Sequence, residues 1–180
     1  MQIQNYGLFW RRDEVEWNPG TGKKFELLGR IGEKRSILQI ADFRYQQGIY
    51  ILYGSYGAYY VGLANSSKRG LGKRLEEHTV DDHWNSWDRF SWFGFKKVLS
   101  KPNKEGILSL QKTLAENKWS NPNITIKNLE ALLIRAMGCF GNTLEMNFTP
   151  EQKWEQVPLK EREYYIKATS KNYPKTTIYK

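Results

Sequence analysis

Residues 48–62 read GIYILYGSYGAYYVG, a stretch with five tyrosines and four glycines in fifteen positions. Its two flanks, GIYILY (48–53) and AYYVGLA (58–64), are apolar, aromatic and β-prone, and the GSYG between them is a glycine-bearing turn. The pattern predicts a β-hairpin. Strand side chains alternate between faces, so Tyr50 and Tyr60 on paired strands can project from one side, with Tyr59 turned to the other. Gly48 and Gly62, taken singly, read as backbone accommodations.

The hairpin is followed by a polar glycine loop, NSSKRGLG, and then by LGKRLEEH, whose spacing predicts a helix with Leu71 and Leu75 facing the core. Arg74 and His78 share another face of it, one turn apart. DDHWNSWD reads as a connection, and the aromatic run Arg89–Leu99 as a third strand. Before the hairpin, YGLFW, KFELLGRI and SILQI are β-type pieces around the turn-rich NPGTGKK, which suggests a small strand or hairpin arm. Beyond residue 99, SKPNKEG is a loop, ILSLQKTLAEN a short helix and WSNPN a turn. KNLEALLIRAMG predicts a buried helix with Leu129, Leu132, Leu133 and Ala136 on its apolar stripe, Glu130 beside the stripe and Gly138 as C-cap. The tail PLKEREYYIKATSKNYPK begins as a helix and ends basic and frayed. There is no internal repeat.

At 180 residues the chain is about one domain long, and its 28 Lys and Arg against 19 Asp and Glu leave a formal charge of +9. Such a surface favours an anionic partner and suits a polyphosphate backbone. Cys139 is the single cysteine, which excludes an internal disulfide and a multi-cysteine zinc site, and it reads as a small buried residue in a reducing compartment. No run of eighteen apolar residues occurs, the mean hydropathy is −0.70, and the N-terminus lacks a basic-then-apolar signal pattern. A cytoplasmic protein without a membrane partner is the simplest expectation. With aromatics at 14 %, most must be core: Trp84, Trp87 and Trp92 read as core or loop anchors. His83 has no partner at ligand spacing and is assigned no metal.

GIY at 48–50, YVG at 60–62, an Arg and a His one turn apart in the next helix, a Glu in a later apolar helix and an Asn twelve positions beyond it resemble the GIY-YIG nuclease superfamily. The resemblance spans roughly 48–148. It implies an α/β (α+β) fold: a small three-stranded mixed or antiparallel sheet flanked by helices, with an N-terminal β-rich arm and a helical basic C-terminal tail. The corresponding division is 1–45 for the arm, 46–150 for the nuclease domain with an inserted segment at about 100–124, and 151–180 for the tail. The site it implies is Tyr50, Tyr60, Arg74, His78, Glu130 and Asn142, with Asn147 an alternative to Asn142.

Phosphodiester hydrolysis needs a deprotonated water in line with the leaving oxygen, positive charge at the phosphate and help for the departing alkoxide. A free tyrosine has a pKa of about 10, so acting as a base requires a cationic environment. The resemblance favours Tyr50 as the proton acceptor, with Tyr60 orienting water or phosphate. Arg74 can grip phosphate oxygens at two points, and His78 can bond to Tyr50 or the water and relay a proton. Glu130, the one acid of the set, is the expected ligand for Mg²⁺ or Mn²⁺, and Asn142 would brace the pocket. Lys68, Arg69 and Lys73 flank Arg74 and could hold the DNA backbone.

The expected activity is therefore metal-dependent cleavage of DNA, double-stranded by preference, in a restriction or phage-defence enzyme, with a homodimer suited to cutting both strands. The alternatives are an idle nucleic-acid-binding module, a nuclease subunit of a larger complex, and an RNA substrate.

Overall fold

The computed structural model describes residues 3–34, 36–64, 69–112 and 152–170. In chain order the strands are β1 (Asn5–Arg11), β2 (Leu28–Ile31), β3 (Gln39–Asp42), β4 (Gly48–Gly54), β5 (Gly57–Ala64), β6 (Arg89–Gly94), β7 (Val98–Pro102), β8 (Ile107–Leu110) and β9 (Gln152–Gln156). Two short α-helices accompany them among the described residues, α1 (Leu71–Glu77) and α2 (Arg162–Thr169). None is long and apolar enough to cross a membrane.

Among the described residues, all nine strands join one mixed sheet in the order β5-β4-β6-β1-β9-β2-β3-β8-β7. This corrects the expectation of a small three-stranded sheet flanked by helices. The expected trio does lie together, β5-β4-β6, but at one end of a much larger sheet. The reason is the open edge of β6, whose backbone groups would otherwise face solvent. β1 covers that edge antiparallel, from Asn5 opposite Gly94 to Arg11 opposite Arg89. β9 then pairs parallel to β1 and antiparallel to β2, and so joins the two halves.

Aromatic packing seals this extension. Trp10 of β1 meets Trp92 of β6 edge-on at 5.4 Å, and Phe43 lies 4.4 Å from Trp92 and 5.0 Å from Trp154 of β9. Trp92, Trp154 and Phe43 are fully buried. Trp154 donates its indole N–H to the Asn5 side chain at 3.0 Å, while Trp10 donates its own to the Trp154 carbonyl at 3.2 Å.

Two local expectations also change. The third strand stops at Gly94 instead of running to Leu99, because the buried Gln46 side chain occupies the space beside Gly94 and takes over the pairing. Its Oε1 accepts from the Lys96 N–H at 2.9 Å and its Nε2 donates to the Lys96 carbonyl at 3.1 Å, so the chain turns away before β7. The helix expected from Ile107 begins instead as strand β8, parallel to β3, with Ile40 opposite Ile107 and Ala41 opposite Leu108. A short apolar run such as ILSL satisfies either period, and burial of Ile107, Leu108 and Leu110 against the sheet decides it. Residues 113–151, which include the expected Glu130 helix and Cys139, lie outside the described residues.

Candidate functional site

The hairpin forms as the sequence suggests, with Ser55 and Tyr56 turning between β4 and β5 and Gly57 at φ +110°, a conformation a side chain would resist. Tyr50 lies opposite Gly62, and Tyr60 opposite Leu52, so both phenols project from one face. The Tyr50 ring lies directly over Gly62, and a Cβ there would overlap the Tyr50 hydroxyl. The glycine of YVG is thus the space in which the tyrosine of GIY sits. The two rings are 6.1 Å apart.

Tyr59 departs from the expected alternation. The register slips between Leu52 and Tyr53, so that Tyr53 faces Ala58 and Tyr59 becomes the extra residue of a bulge. It does not turn away from Tyr60: its hydroxyl bonds to His83 Nδ1 at 2.9 Å, and the Tyr60 ring lies 5.1 Å from the same imidazole.

Helix α1 approaches this face with Leu71 and Leu75 buried beneath it, and brings Arg74 and His78 to the phenols. His78 is the C-cap residue and is itself buried. Its Nε2 is 2.8 Å from the Tyr50 hydroxyl and its Nδ1 is 2.7 Å from Asp81 Oδ2. The buried Trp87 indole donates to the His78 carbonyl at 3.0 Å and pins the helix end. Burial opposes ionisation of Asp81, but the His83 N–H and the His78 ring hold its carboxyl below the usual range. As a carboxylate it can only accept, so His78 carries its proton on Nδ1 and Nε2 accepts from the Tyr50 hydroxyl. The result is a directed chain, Tyr50 to His78 to Asp81.

Burial pushes the Tyr50 phenol up to about 12, against the opposing pull of the Arg74 charge. Tyr50 is therefore neutral at pH 7. Arg74 binds Glu77 at 3.1 Å, and its buried Nε has no hydrogen-bond acceptor among the described residues. Arg69 also holds Glu77, at 2.5 Å, and Lys73 holds Glu76 at 2.8 Å. Of the three cations expected to grip DNA, Arg69 and Lys73 are thus already paired with acids of α1.

Tyr50, Tyr60, Arg74 and His78 come together here, while Glu130, Asn142, Asn147 and Lys68 lie outside the described residues. Trp87 and Trp92 are buried, whereas Trp84 is largely exposed. Asp81 was not among the expected site residues, and His83, expected to have no partner at ligand spacing, has two. His78, Asp81 and His83 offer ligand atoms that all lie within 4.8 Å of one another. The signal was there in HTVDDH, but no helical or strand period predicts that the turn after α1 folds back onto the helix end.

For the Mg²⁺ or Mn²⁺ that the resemblance implies, the described residues around Tyr50 do not compose a hard-oxygen site. Glu77 is engaged by Arg69 and Arg74, and Asp81 stands between two imidazoles, so that nitrogen rather than a full oxygen shell surrounds it.

No family model, curated protein or solved structure matches this chain.

Proposed function

We propose that the protein is a DNA endonuclease that hydrolyses phosphodiester bonds. The observation that carries the proposal is the hydrogen-bonded chain Tyr50–His78–Asp81 with the Arg74 guanidinium beside the phenol. A neutral tyrosine with so high a pKa is a poor base by itself. Backed by an acceptor nitrogen, it can act as a relay: as the Tyr50 oxygen takes a proton from water, its own proton passes to His78 Nε2, and Asp81 stabilises the imidazolium formed. The hydroxide adds to phosphorus, the bond to the departing sugar oxygen breaks, and that oxygen takes up a proton from solvent while the His78 imidazolium releases its own, restoring the neutral relay.

Arg74 would meet the phosphate oxygens, exchanging its contact with Glu77 for the stronger charge of the substrate. Tyr60, on the same face as Tyr50, is placed to orient the water. The proposed ion ligand is Glu130, and a divalent ion there would lower the charge at the leaving oxygen. A groove beside the start of α1, lined by Lys23, Lys24, Arg44, Lys73 and Glu76 together with Trp17, Phe25 and Tyr45, offers a nucleic-acid strand net positive charge and stacking surface, with Lys73 and Arg44 exchanging their contacts with Glu76 and Asp42 for phosphate. A homodimer fits cleavage of both strands of a palindromic restriction or phage target.

The test is to incubate the purified protein with supercoiled plasmid and phage DNA in Mg²⁺ and map the ends. Tyr50→Phe should slow cleavage at least about 100-fold while leaving DNA binding measurable. Cleavage at the unmodified rate by that variant would remove the relay, and binding of DNA with no cleavage by the native protein would favour an idle binding module.

A further inference from the structure

We propose that His78, Asp81 and His83 form a binding site for a zinc-like divalent ion, composed of residues other than the expected ion ligand Glu130. The three side chains converge from the C-terminal cap of α1 and the turn after it, with all ligand atoms within 4.8 Å of one another. Two imidazoles and a carboxylate suit Zn²⁺ or Co²⁺, and suit Mg²⁺ poorly because it prefers an all-oxygen shell.

The surroundings are built as metal sites are. One nitrogen of each histidine is tied to a phenol, His78 Nε2 to Tyr50 at 2.8 Å and His83 Nδ1 to Tyr59 at 2.9 Å, which fixes the ring orientations. Asp81 Oδ1 accepts the His83 backbone N–H at 2.9 Å, leaving Oδ2 turned to His78 Nδ1 at 2.7 Å. Binding replaces the Nδ1 proton with the ion and opens that pair to the ~3.3 Å spacing of tetrahedral ligands. His78 is buried whereas Asp81 and His83 are half-buried, so the ion has a path in, and three protein ligands would leave the fourth position of a four-coordinate ion to water.

A consequence reaches Tyr50. With a metal on Nδ1, the ring proton of His78 sits on Nε2, and the hydrogen bond reverses so that the histidine donates to the phenol oxygen. His78 can then no longer accept the Tyr50 proton. Resting on the nuclease reading, zinc at this position inhibits cleavage.

Titrating the full chain with Co²⁺ and monitoring its visible absorption tests the site directly. One equivalent should give a visible band that Zn²⁺ displaces, and His83→Gln and Asp81→Asn should each weaken Co²⁺ binding about tenfold or more, with circular dichroism reporting that each variant is folded. No band, or unchanged affinity in the folded variants, would overturn the site. In a plasmid assay, the ratio of rates without and with Zn²⁺ should be large for the native protein and close to one for His83→Gln. Equal ratios would overturn the link to Tyr50. A native protein that cuts nothing counts against the nuclease reading alone, since the cobalt titration decides the metal site without any cleavage.

Discussion

Tyr50 shows how a side chain's chemistry depends on what surrounds it. Its ring is fully buried over Gly62 and against His78, and burial raises its pKa to about 12 in spite of Arg74. A phenol whose pKa is higher in the folded chain than in the unfolded one holds its proton longer in the folded state. It therefore costs no stability below pH ~10, where both states are protonated, and lowers stability as pH rises from there toward the folded value of about 12. Tyr53 and Tyr165 are shifted the same way by burial, so they add to the loss. Denaturant midpoints measured from pH 9 to 12 should fall for the native protein, and fall less steeply for Tyr50→Phe. Parallel curves would mean that Tyr50 ionises as freely in the folded chain as in the unfolded one.

Within the β4–β5 hairpin, Gly62 does more than permit a turn. Its missing side chain is the cavity for the Tyr50 ring, and the bulge at Tyr59 brings a second hydroxyl onto His83. Gly62→Ala forces the ring to move or the strands to part, at about 2 kcal/mol by analogy with overpacked cores. It should also cut cleavage as severely as Tyr50→Phe, because the hydroxyl leaves His78. Paired stability and nicking measurements check this, and an alanine variant of native stability and activity would show that the ring does not lie where the hairpin puts it. The register of β4 against β6, with Tyr50 opposite Trp92, fixes the other side of the same strand. The site thus rests on a strand held on both edges.

The whole molecule depends on β9, which comes from residues 152–156 and sits between β1 and β2 near the middle of the sheet. Trp154 is its anchor, fully buried against Phe43 and bonded to Asn5. Trp154→Ala should cost about 3–5 kcal/mol, read from urea unfolding, and loosen the joint between the halves of the sheet. A loss below about 1 kcal/mol would mean that the cavity collapses and β9 is held by its backbone pairing alone. Because β5-β4-β6 lies at one end of the sheet, the variant that still folds should retain the Tyr50–His78 contact.

Local pattern carried the hairpin, helix α1, the shared face of Tyr50 and Tyr60 and that of Arg74 and His78, because alternation along strands and the helical turn act within a dozen residues; that the two pairs meet was implied by the resemblance alone. The aromatic content was legible too, but not its use: Trp10 meets Trp92 only because β1 pairs with β6, and meets Trp154 only because β1 and β9 pair across more than 140 positions of chain. Strand partners so distant leave no period to read, since any exposed edge with matching hydrogen-bond groups can accept them. The same limit hid β8, where four residues fit either period, and the Asp81–His83 turn, whose carboxylate and imidazole become neighbours of His78 only through its folding back. Residue type and short spacing determined which groups could do chemistry; the pairing of remote strand edges and one irregular turn decided what sheet they stand on and what stands beside them.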